Sequence, residues 1–355
     1  MKKKLLHFQR LTLYVGIDLH KKQWTVSIYT DSIYHKTFSQ APRPEVLRTY
    51  IEHHFPGATV RCVYEATRFG FWIARELQSY GYECLVVNPA DIPSTHHQSQ
   101  NKTDPTDSRK LAKTLRAGLL NPCFIPSKIT EGDRQLFRYR KRLLSDLNRV
   151  KNRIKGTLTF SGVTVPPEFD NSYWTKAFLQ WTREVPLPSR SARQTLDLLM
   201  EQHQHLYHLL LVTTRQVRAL LKEDRYRHQA RLLVSVPGIG PLTSVQLLCE
   251  IEDIHRFPSF RKFNSFIGFK PTSHSSGEHD WKGHMTIRRH NNLRSDLVEC
   301  AWHAIRKDPV LTAKYEELIK RMTGKRAIVV IARKLLSRIY HVLKYLEAYD
   351  VGRAA

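Results

Sequence analysis

The order of segments in the first 115 residues constrains the fold more than any other feature of this sequence. Three apolar, β-like runs joined by short turns come first, and helical and β-like segments alternate after them. The predicted strands are Leu11–Asp18, Gln23–Tyr29, Ser32–Phe38, Thr59–Tyr64 and Glu83–Val87, and the predicted helices are Pro44–His53, Phe69–Tyr80 and Asp104–Leu115. A strand meander followed by alternating helices and strands indicates an α/β domain.

Four carboxylates stand at informative positions in this order, which is typical of the RNase H-like fold. Asp18 and Glu65 end apolar runs, and Asp104 and Asp107 are three residues apart at the start of a helical pattern, so they share a face. Four convergent carboxylates can hold two Mg²⁺ ions, a standard arrangement for cutting phosphodiesters. The simpler interpretation is that Asp18 is a turn residue and Asp104 a helix N-cap.

The charge balance favours a nucleic-acid partner. The chain has 355 residues, with 57 Lys and Arg against 32 Asp and Glu, a net charge of +25 and a pI of about 10.0. Such an excess is unusual for a metabolic enzyme and suits a polyanion, so binding should weaken strongly with salt. The five scattered cysteines form no C-x-x-C pair, which disfavours zinc and disulfides and fits a reducing cytoplasm. No segment approaches the roughly 18 apolar residues of a membrane span.

A long basic helix is predicted over Arg134–Leu158, with an apolar stripe on one face. Its other faces are basic and include Arg149, Lys151 and Arg153, while Lys102 precedes the last acidic pair. Either this is an ordinary solvated face or the helix follows a nucleic-acid backbone, and few opposing charges accompany it. We expect these four side chains to contact nucleic acid.

The segment Ala192–Asp224 is a second long helical pattern with heptad spacing. Its apolar heptad positions are Leu196, Leu199, Leu206, Leu210, Val217 and Leu220. This spacing is a modest coiled-coil signal. Self-association and packing within the chain are both consistent with it.

A glycine-rich turn opens the C-terminal region at Val236-Pro-Gly-Ile-Gly240, ahead of a helix through Glu250. The pattern is typical of a helix-hairpin-helix, in which backbone N–H groups near Gly238 and Gly240 meet a DNA phosphate. A plain corner between two helices is the alternative. A final amphipathic helix is predicted over Lys325–Leu346.

A polar stretch between Gly268 and Arg294 is the second candidate for chemistry. Ser276 precedes Gly277 in what the sequence suggests is a loop, where a hydroxyl can be exposed enough to act as a nucleophile. Arginines that follow could hold a phosphate and stabilise charge at phosphorus. They are Arg288, Arg289 and Arg294. Taken alone this evidence is weak, because Ser-Ser-Gly is common in loops.

The combination of motifs resembles the IS110 family of transposases, including its IS1111 branch and the related pilin-gene invertases. The matching stretches follow one another through nearly the whole chain. They are Val15-Gly-Ile-Asp18, Tyr64-Glu65-Ala66, Val87-Asn88-Pro89, Asn101-Lys-Thr-Asp104-Pro-Thr-Asp107-Ser-Arg-Lys-Leu-Ala112, Val236-Pro-Gly-Ile-Gly240, Gly268-Phe-Lys-Pro271, Ser276-Gly277 and Thr286–Arg294. Of these, only the Asn-Lys-Thr-Asp-x-x-Asp run is specific by itself.

The resemblance implies a RuvC-like DEDD domain over residues 1–160 with the basic helix trailing it, a linker and coiled-coil segment over 161–228, and a mainly α transposase domain over 229–355. It implies catalytic Asp18, Glu65, Asp104 and Asp107 with Mg²⁺, and Ser276 as a nucleophile that joins a DNA 5′ phosphate. It also implies donor and target DNA, a structured guide RNA encoded beside the gene, a homo-oligomer (dimer or tetramer) with sites shared between protomers, and action in the bacterial or archaeal cytoplasm.

This sequence departs from the family pattern in places. Ser108 stands where Ala is usual, and Thr286-Ile-Arg288 lacks the glycine of the usual Ser/Thr-Lys-x-Gly-Asn loop. Ser275 beside Ser276 leaves the nucleophile open by one position, and Ser276 is favoured because the family serine directly precedes Gly. Two other functions compete: a RuvC-like nuclease or junction resolvase that uses water, and a non-catalytic nucleic-acid-binding protein.

Overall fold

The structure is a computed structural model that describes residues 8–93, 103–171, 173–276, 279–285 and 290–351, with the backbone alone for 271–276 and 279–284. The chain forms two compact units, one up to Pro126 and one from Ser127 onward. The division into three domains that the sequence suggests stays a prediction.

The first unit is built on a five-stranded mixed sheet in the order β3-β2-β1-β4-β5. Strand β1 pairs antiparallel with β2 and parallel with β4, so it is central. The strands are β1 Thr12–Leu19, β2 Trp24–Tyr29, β3 Tyr34–Gln40, β4 Thr59–Glu65 and β5 Glu83–Val87, and the helices are α1 Pro44–His54, α2 Trp72–Ser79 and α3 Asp104–Arg116. Each predicted element of this region is present, and the architecture is consistent with the RNase H-like fold.

Helices cover both faces of this sheet, because neighbouring residues of a strand point to opposite sides. On β4, Cys62 and Tyr64 join the core beneath α1 and α2, whereas Val63 joins a separate cluster with Leu111 and Leu115 of α3. Helix α3 therefore lies on the face opposite α1 and α2. That placement brings the start of α3, with its two aspartates, to the sheet.

The second unit opens with two long helices packed against each other, α4 Lys128–Phe160 and α6 Arg190–Ala219, with α5 Lys176–Glu184 between them in the chain. Leu143 and Leu147 of α4 pack on Leu210, whereas Ile154 packs near Leu196. The residue numbers rise on one helix as they fall on the other, so the pair is antiparallel.

The apolar heptad residues of α6 and of the turn that follows it pack against other parts of the chain. Leu196, Leu210, Val217 and Leu220 are all buried against other helices of the same unit. Packing within the chain therefore accounts for these positions, and the coiled-coil prediction between protomers remains a prediction.

The remainder of the second unit is mainly helical. Its helices are α7 Asp224–Val234, α8 Pro241–Ile251, α9 Phe260–Ile267, α10 Asn291–Ala304, α11 Pro309–Ile319 and α12 Gly324–Tyr345. They share one core, in which Phe263, Leu297 and Leu335 are fully buried. Between α9 and α10 a two-stranded hairpin forms, β6 Pro271–Ser276 and β7 His279–Met285. No helix of the described part of the chain is long and apolar enough to cross a membrane.

Three sequence predictions for the second unit are corrected by the structure. The loop expected around Ser276 is a β-hairpin, since residues 271–276 pair with 279–285. The long helix expected over Ala192–Asp224 stops at Ala219, and a 3₁₀ turn over Leu220–Lys222 leads to a new helix at Asp224. Helix α4 also begins earlier than expected, at Lys128, because the Ser127 hydroxyl accepts a hydrogen bond from Thr130 N and caps it.

Candidate functional site

Helix α3 lies against strand β1 at Gly16. The strand exposes only backbone there, so Ser108 and Ala112 of the helix approach it closely. Asp18 is two residues further along the same face of the strand, and Asp104 is one helical turn before Ser108. The close contact at Gly16 therefore aligns Asp104 with the end of β1.

Three side chains converge at this end of the sheet. His20 Nε2 lies 3.3 Å from Asp18 Oδ2 and 3.5 Å from Asp104 Oδ1. One ligand atom from each of the three lies within 4.8 Å of the others, a spacing that suits a single metal ion. Carboxylate oxygens are the ligands that Mg²⁺ and Mn²⁺ prefer, and imidazole nitrogen is acceptable to Mn²⁺.

The other two acidic residues are neighbours of this cluster. Strands β1 and β4 are parallel with Ile17 opposite Tyr64, so the next residues, Asp18 near the end of β1 and Glu65 at the end of β4, lie side by side. Asp107 is in the first turn of α3 and is close enough to Asp18 to raise the pKa of that carboxyl. The four predicted carboxylates thus occupy one end of the sheet, with Asp18 and Asp104 in the tight cluster.

Electrostatics at Asp18 are those of a crowded acidic site. Burial is the largest cause of its raised pKa, and the charges of Asp104 and Asp107 raise the pKa further. His20 opposes them with a hydrogen bond and its charge. A divalent cation would relieve this repulsion, and its charge would favour the ionised carboxylates.

Sequence reasoning missed His20. The signal was present, because residues two apart on a strand share a face and His20 follows Asp18 by two. It was overlooked because His20 lies just beyond the apolar run that identified the strand.

Ser108, a departure from the family pattern, is buried where α3 meets the sheet. Its hydroxyl is 2.8 Å from the Ser27 hydroxyl on β2 and also donates to the Pro105 carbonyl at 3.2 Å. A buried hydroxyl needs such partners, and Ser27 supplies one that an apolar neighbour could not. The substitution is therefore accommodated beside the acidic cluster without an unsatisfied group.

In the second unit, Ser276 is the last residue of β6 and pairs with His279, while Ser275 pairs with Asp280. The predicted phosphate ligands Arg288 and Arg289, like Lys102 in the first unit, lie outside the described residues. Arg294 is on α10 and donates from Nη1 to the Gly268 carbonyl at 3.2 Å. Arg294 thus links α10 to the residues that lead into the hairpin.

A buried carboxylate, Glu250, contacts side chains from two other parts of the second unit. Arg138 contacts both of its oxygens, at 2.9 and 2.7 Å, and His290 Nε2 lies 3.2 Å from Oε2. His290 Nδ1 lies 3.3 Å from Leu293 N, a contact that orients the ring with Nε2 towards Glu250. Burial raises the pKa of Glu250, but hydrogen bonds from His290 and Arg138 outweigh it and lower the pKa to about 2. Neither Glu250 nor its partners were predicted.

The glycine-rich turn between α7 and α8 has two different glycines. Gly238 has a φ of 88° and faces α10 so closely that a Cβ would lie 2.3 Å from the Cys300 carbonyl oxygen. Gly240 is the N-cap of α8 and has open space around its Cα. A cavity of about 440 Å³ beside the turn is also lined by His303 and Lys307. Packing explains Gly238, whereas Gly240 is free to meet a ligand.

The basic face of α4 is divided by its contacts. Arg149 is 68% exposed and pairs with Asp146, and Arg153 is exposed at the edge of a cavity. Lys151 instead places its ammonium 5.2 Å from the centre of the Trp174 ring, and burial lowers its pKa. Only Arg149 and Arg153 of these three are therefore positioned as solvated phosphate ligands.

Comparison with known proteins gives two family matches. A family described as "Transposase IS116/IS110/IS902 family" matches residues 230–316, and one described as "Transposase", the DEDD type of IS110, matches residues 15–162. The second match spans all four predicted carboxylates, and the first spans the glycine-rich turn and the hairpin.

Individual transposases match most of this chain. A putative transposase, y4rJ, of Sinorhizobium fredii is 27% identical over 95% of this chain and 92% of its own length. The transposase for insertion sequence element IS1533 of Leptospira borgpetersenii is 23% identical over 94% of this chain and 96% of its own. The transposase for insertion sequence element IS1111A of Coxiella burnetii is 26% identical over 78% and 76%.

Proposed function

The chain belongs to the IS116/IS110/IS902 family of transposases and is an enzyme that acts on DNA, and from this premise we propose that it cuts and rejoins DNA through a covalent phosphoserine intermediate. The reaction would be the transposition of an insertion sequence. The observation that supports the cutting of DNA is the convergence of Asp18 and Asp104, beside Glu65 and Asp107, at one end of the sheet, whereas the covalent step at Ser276 rests on the family resemblance.

The DEDD domain implies a divalent metal, and we propose Mg²⁺ as the ion used. Asp18, Glu65, Asp104 and Asp107 would hold it with their carboxylate oxygens. When bound, the metal supplies positive charge that orients the scissile phosphate and neutralises charge developing on its oxygens. Burial and, to a smaller extent, the charges of Asp104 and Asp107 raise the pKa of Asp18, which is consistent with a site arranged for a cation.

Ser276 is the proposed nucleophile. Its Oγ attacks phosphorus in line, forming an Oγ–P bond to the 5′ phosphate as the bond from phosphorus to the 3′ oxygen breaks. The serine loses its hydroxyl proton, and the departing 3′ oxygen gains one. The bond energy is conserved in the phosphoserine, so a 3′ hydroxyl of another strand can reverse the step without ATP. Arg288, Arg289 and Arg294 are proposed phosphate ligands.

The partners follow from the same family membership. We propose donor and target DNA, a structured guide RNA, and a homo-oligomer in which the acidic set and Ser276 of different protomers form composite sites. The net charge of +25 supports simultaneous binding of two nucleic acids. Exposed Arg149 and Arg153, and the backbone at Gly240, are further proposed contacts in the second unit. Action on genomic DNA places the protein in the cytoplasm.

A cleavage assay tests this function. The protein is expressed together with the DNA flanking its gene, purified, and incubated with Mg²⁺ and labelled element-junction and target DNA. Wild type and Asp224→Asn, a matched loss of charge at a fully exposed position, should cut and join these DNAs. Asp104→Asn should do neither while still binding them. Binding without cutting in the wild type would instead indicate a non-catalytic protein.

A further inference from the structure

His20 is held in place by its backbone before its side chain makes any contact. It follows Leu19, the last residue of β1, and its N–H donates to the Gln23 carbonyl at 3.2 Å across the turn into β2. Its side chain shares a strand face with Asp18. The imidazole is therefore directed to the acidic end of the sheet by the turn that joins β1 to β2.

The three ligand atoms lie close enough together to share one ion, and the two distances from His20 suit octahedral coordination. Ligands about 2.1 Å from an ion and at right angles to one another lie about 3 Å apart. His20 Nε2 lies 3.3 Å from Asp18 Oδ2 and 3.5 Å from Asp104 Oδ1, within a few tenths of an ångström of that spacing. The imidazole is 49% exposed, so it can turn to meet an ion without disturbing the core.

An ion pair alone is a weak reason for this arrangement. Half-exposed pairs between His and carboxylates add little to stability, because water screens them. Nε2 is directed between two carboxylates that belong to different elements, one on β1 and one on α3. A shared metal ion explains why a single nitrogen approaches both.

Resting on the proposed function, we propose that His20 Nε2 is a nitrogen ligand of the divalent metal bound by Asp18 and Asp104. The four-carboxylate site thereby gains a fifth donor of a different type. Nitrogen ligands favour Mn²⁺ over Mg²⁺, because Mg²⁺ strongly prefers oxygen. His20 therefore shifts the metal preference of the site towards Mn²⁺, while the carboxylates still accept Mg²⁺.

The test uses Mn²⁺ as the probe, titrated into the full-length protein with and without a duplex oligonucleotide. Pulsed electron paramagnetic resonance detects ¹⁴N coupling when histidine nitrogen binds Mn²⁺, and calorimetry gives the Kd for Mn²⁺ and for Mg²⁺. The variants are His20→Ala and the matched control His35→Ala, which alters a histidine of the same unit that contacts Tyr50 instead.

We expect ¹⁴N coupling in wild type and His35→Ala and its loss in His20→Ala. The Kd for Mn²⁺ should rise about tenfold in His20→Ala and that for Mg²⁺ about threefold or less. Coupling that persists in His20→Ala, a Mn²⁺ ion lost in Asp18→Asn but never coupled to nitrogen, or no Mn²⁺ binding at all would overturn the proposal. Failure of the proposed function is separate, since it would show as absent DNA cleavage in a protein that still has the Mn–nitrogen coupling.

Discussion

Gly16 of β1 faces the carbonyl oxygen of Ser108 on α3 so closely that a Cβ on Gly16 would lie 2.1 Å from that oxygen. A second backbone atom, Ala112 N, would lie 2.5 Å away. Neither can move without moving the helix. This contact sets the height of α3 above the sheet and with it the position of Asp104 relative to Asp18.

Gly16→Ala should therefore weaken both stability and metal binding. Forcing a methyl group into a closed contact costs about 1–3 kcal/mol, and the displaced helix would separate Asp104 from Asp18. Thermal unfolding and Mn²⁺ titration measure the two effects. Gly132→Ala is the control, because its Cβ, near the start of α4, would meet no atom within 4 Å. Unchanged Mn²⁺ affinity in Gly16→Ala would show that the contact does not position Asp104.

Asp18→Asn should change stability and function in opposite directions. The pKa of Asp18 is raised in the fold, chiefly by burial, so its ionised form at pH 7 opposes folding and its protonated form at low pH does not. Without metal, Asp18→Asn should be more stable than wild type at pH 7, with the difference shrinking as the pH falls towards 4.

Metal binding should make wild type more stable than Asp18→Asn at pH 7. Mn²⁺ at 100 times its Kd should stabilise wild type by about 2.7 kcal/mol and leave Asp18→Asn nearly unchanged. Differential scanning calorimetry with and without Mn²⁺ provides the measurement. A metal-free wild type more stable than Asp18→Asn at pH 7 would contradict the repulsion described here.

Glu250 should control the acid stability of the second unit. Its pKa of about 2 lies below the ordinary value of 4.5, so its stabilising contribution is present above pH 4.5 and is lost as the pH falls towards 2. Glu250→Ala, which leaves Arg138 and His290 without their buried partner, should lower the free energy of unfolding by about 3–5 kcal/mol at pH 7.

Urea unfolding as a function of pH measures this contribution. Because Gln has no acidic proton, Glu250→Gln should lack the part of the acid dependence that arises between pH 4.5 and 2. Equal slopes for wild type and Glu250→Gln over that range would mean that another carboxyl is responsible.

The two exposed arginines of α4 should differ from their lysine neighbour in DNA binding. Arg149→Ala and Arg153→Ala should each reduce the slope of log K against log salt by about 0.9, the value for one phosphate contact. Lys151→Ala should leave the slope unchanged, because Lys151 is positioned over the Trp174 ring. Fluorescence anisotropy at several salt concentrations measures these slopes. A reduced slope in Lys151→Ala would show that Lys151 does contact DNA phosphate.

Much of the first unit could be predicted from sequence, because its strands are apolar runs that end at turn residues. Strand β5 was predicted at its observed bounds, and α3 within one residue. The closeness of Gly16 to α3 could not be predicted, since it depends on which helix covers that face. The hairpin around Ser276 was missed because Thr-Ser-His-Ser-Ser has no apolar alternation to distinguish a strand from a loop.

The candidate site also contains residues that could be predicted from the sequence and residues that could not. The acidic residues were found from their places in the element order, and Asp18 and Asp104 do meet. The Glu250 cluster was invisible in the sequence, because Arg138, Glu250 and His290 are distant in the chain and only tertiary packing brings them together. The assignment of Ser276 still rests on family resemblance.

The measurement that tests the central claim most directly is therefore a covalent-adduct assay. Labelled element-junction and target DNA are incubated with Mg²⁺ and protein prepared with its flanking RNA-coding DNA, then separated on a denaturing gel. We predict labelled DNA that migrates with the protein, present in wild type and Ser275→Ala and lost in Ser276→Ala. Loss only in Ser275→Ala would move the nucleophile by one residue. Cut DNA with no adduct, still dependent on Asp18, would contradict the phosphoserine mechanism and indicate a nuclease that uses water.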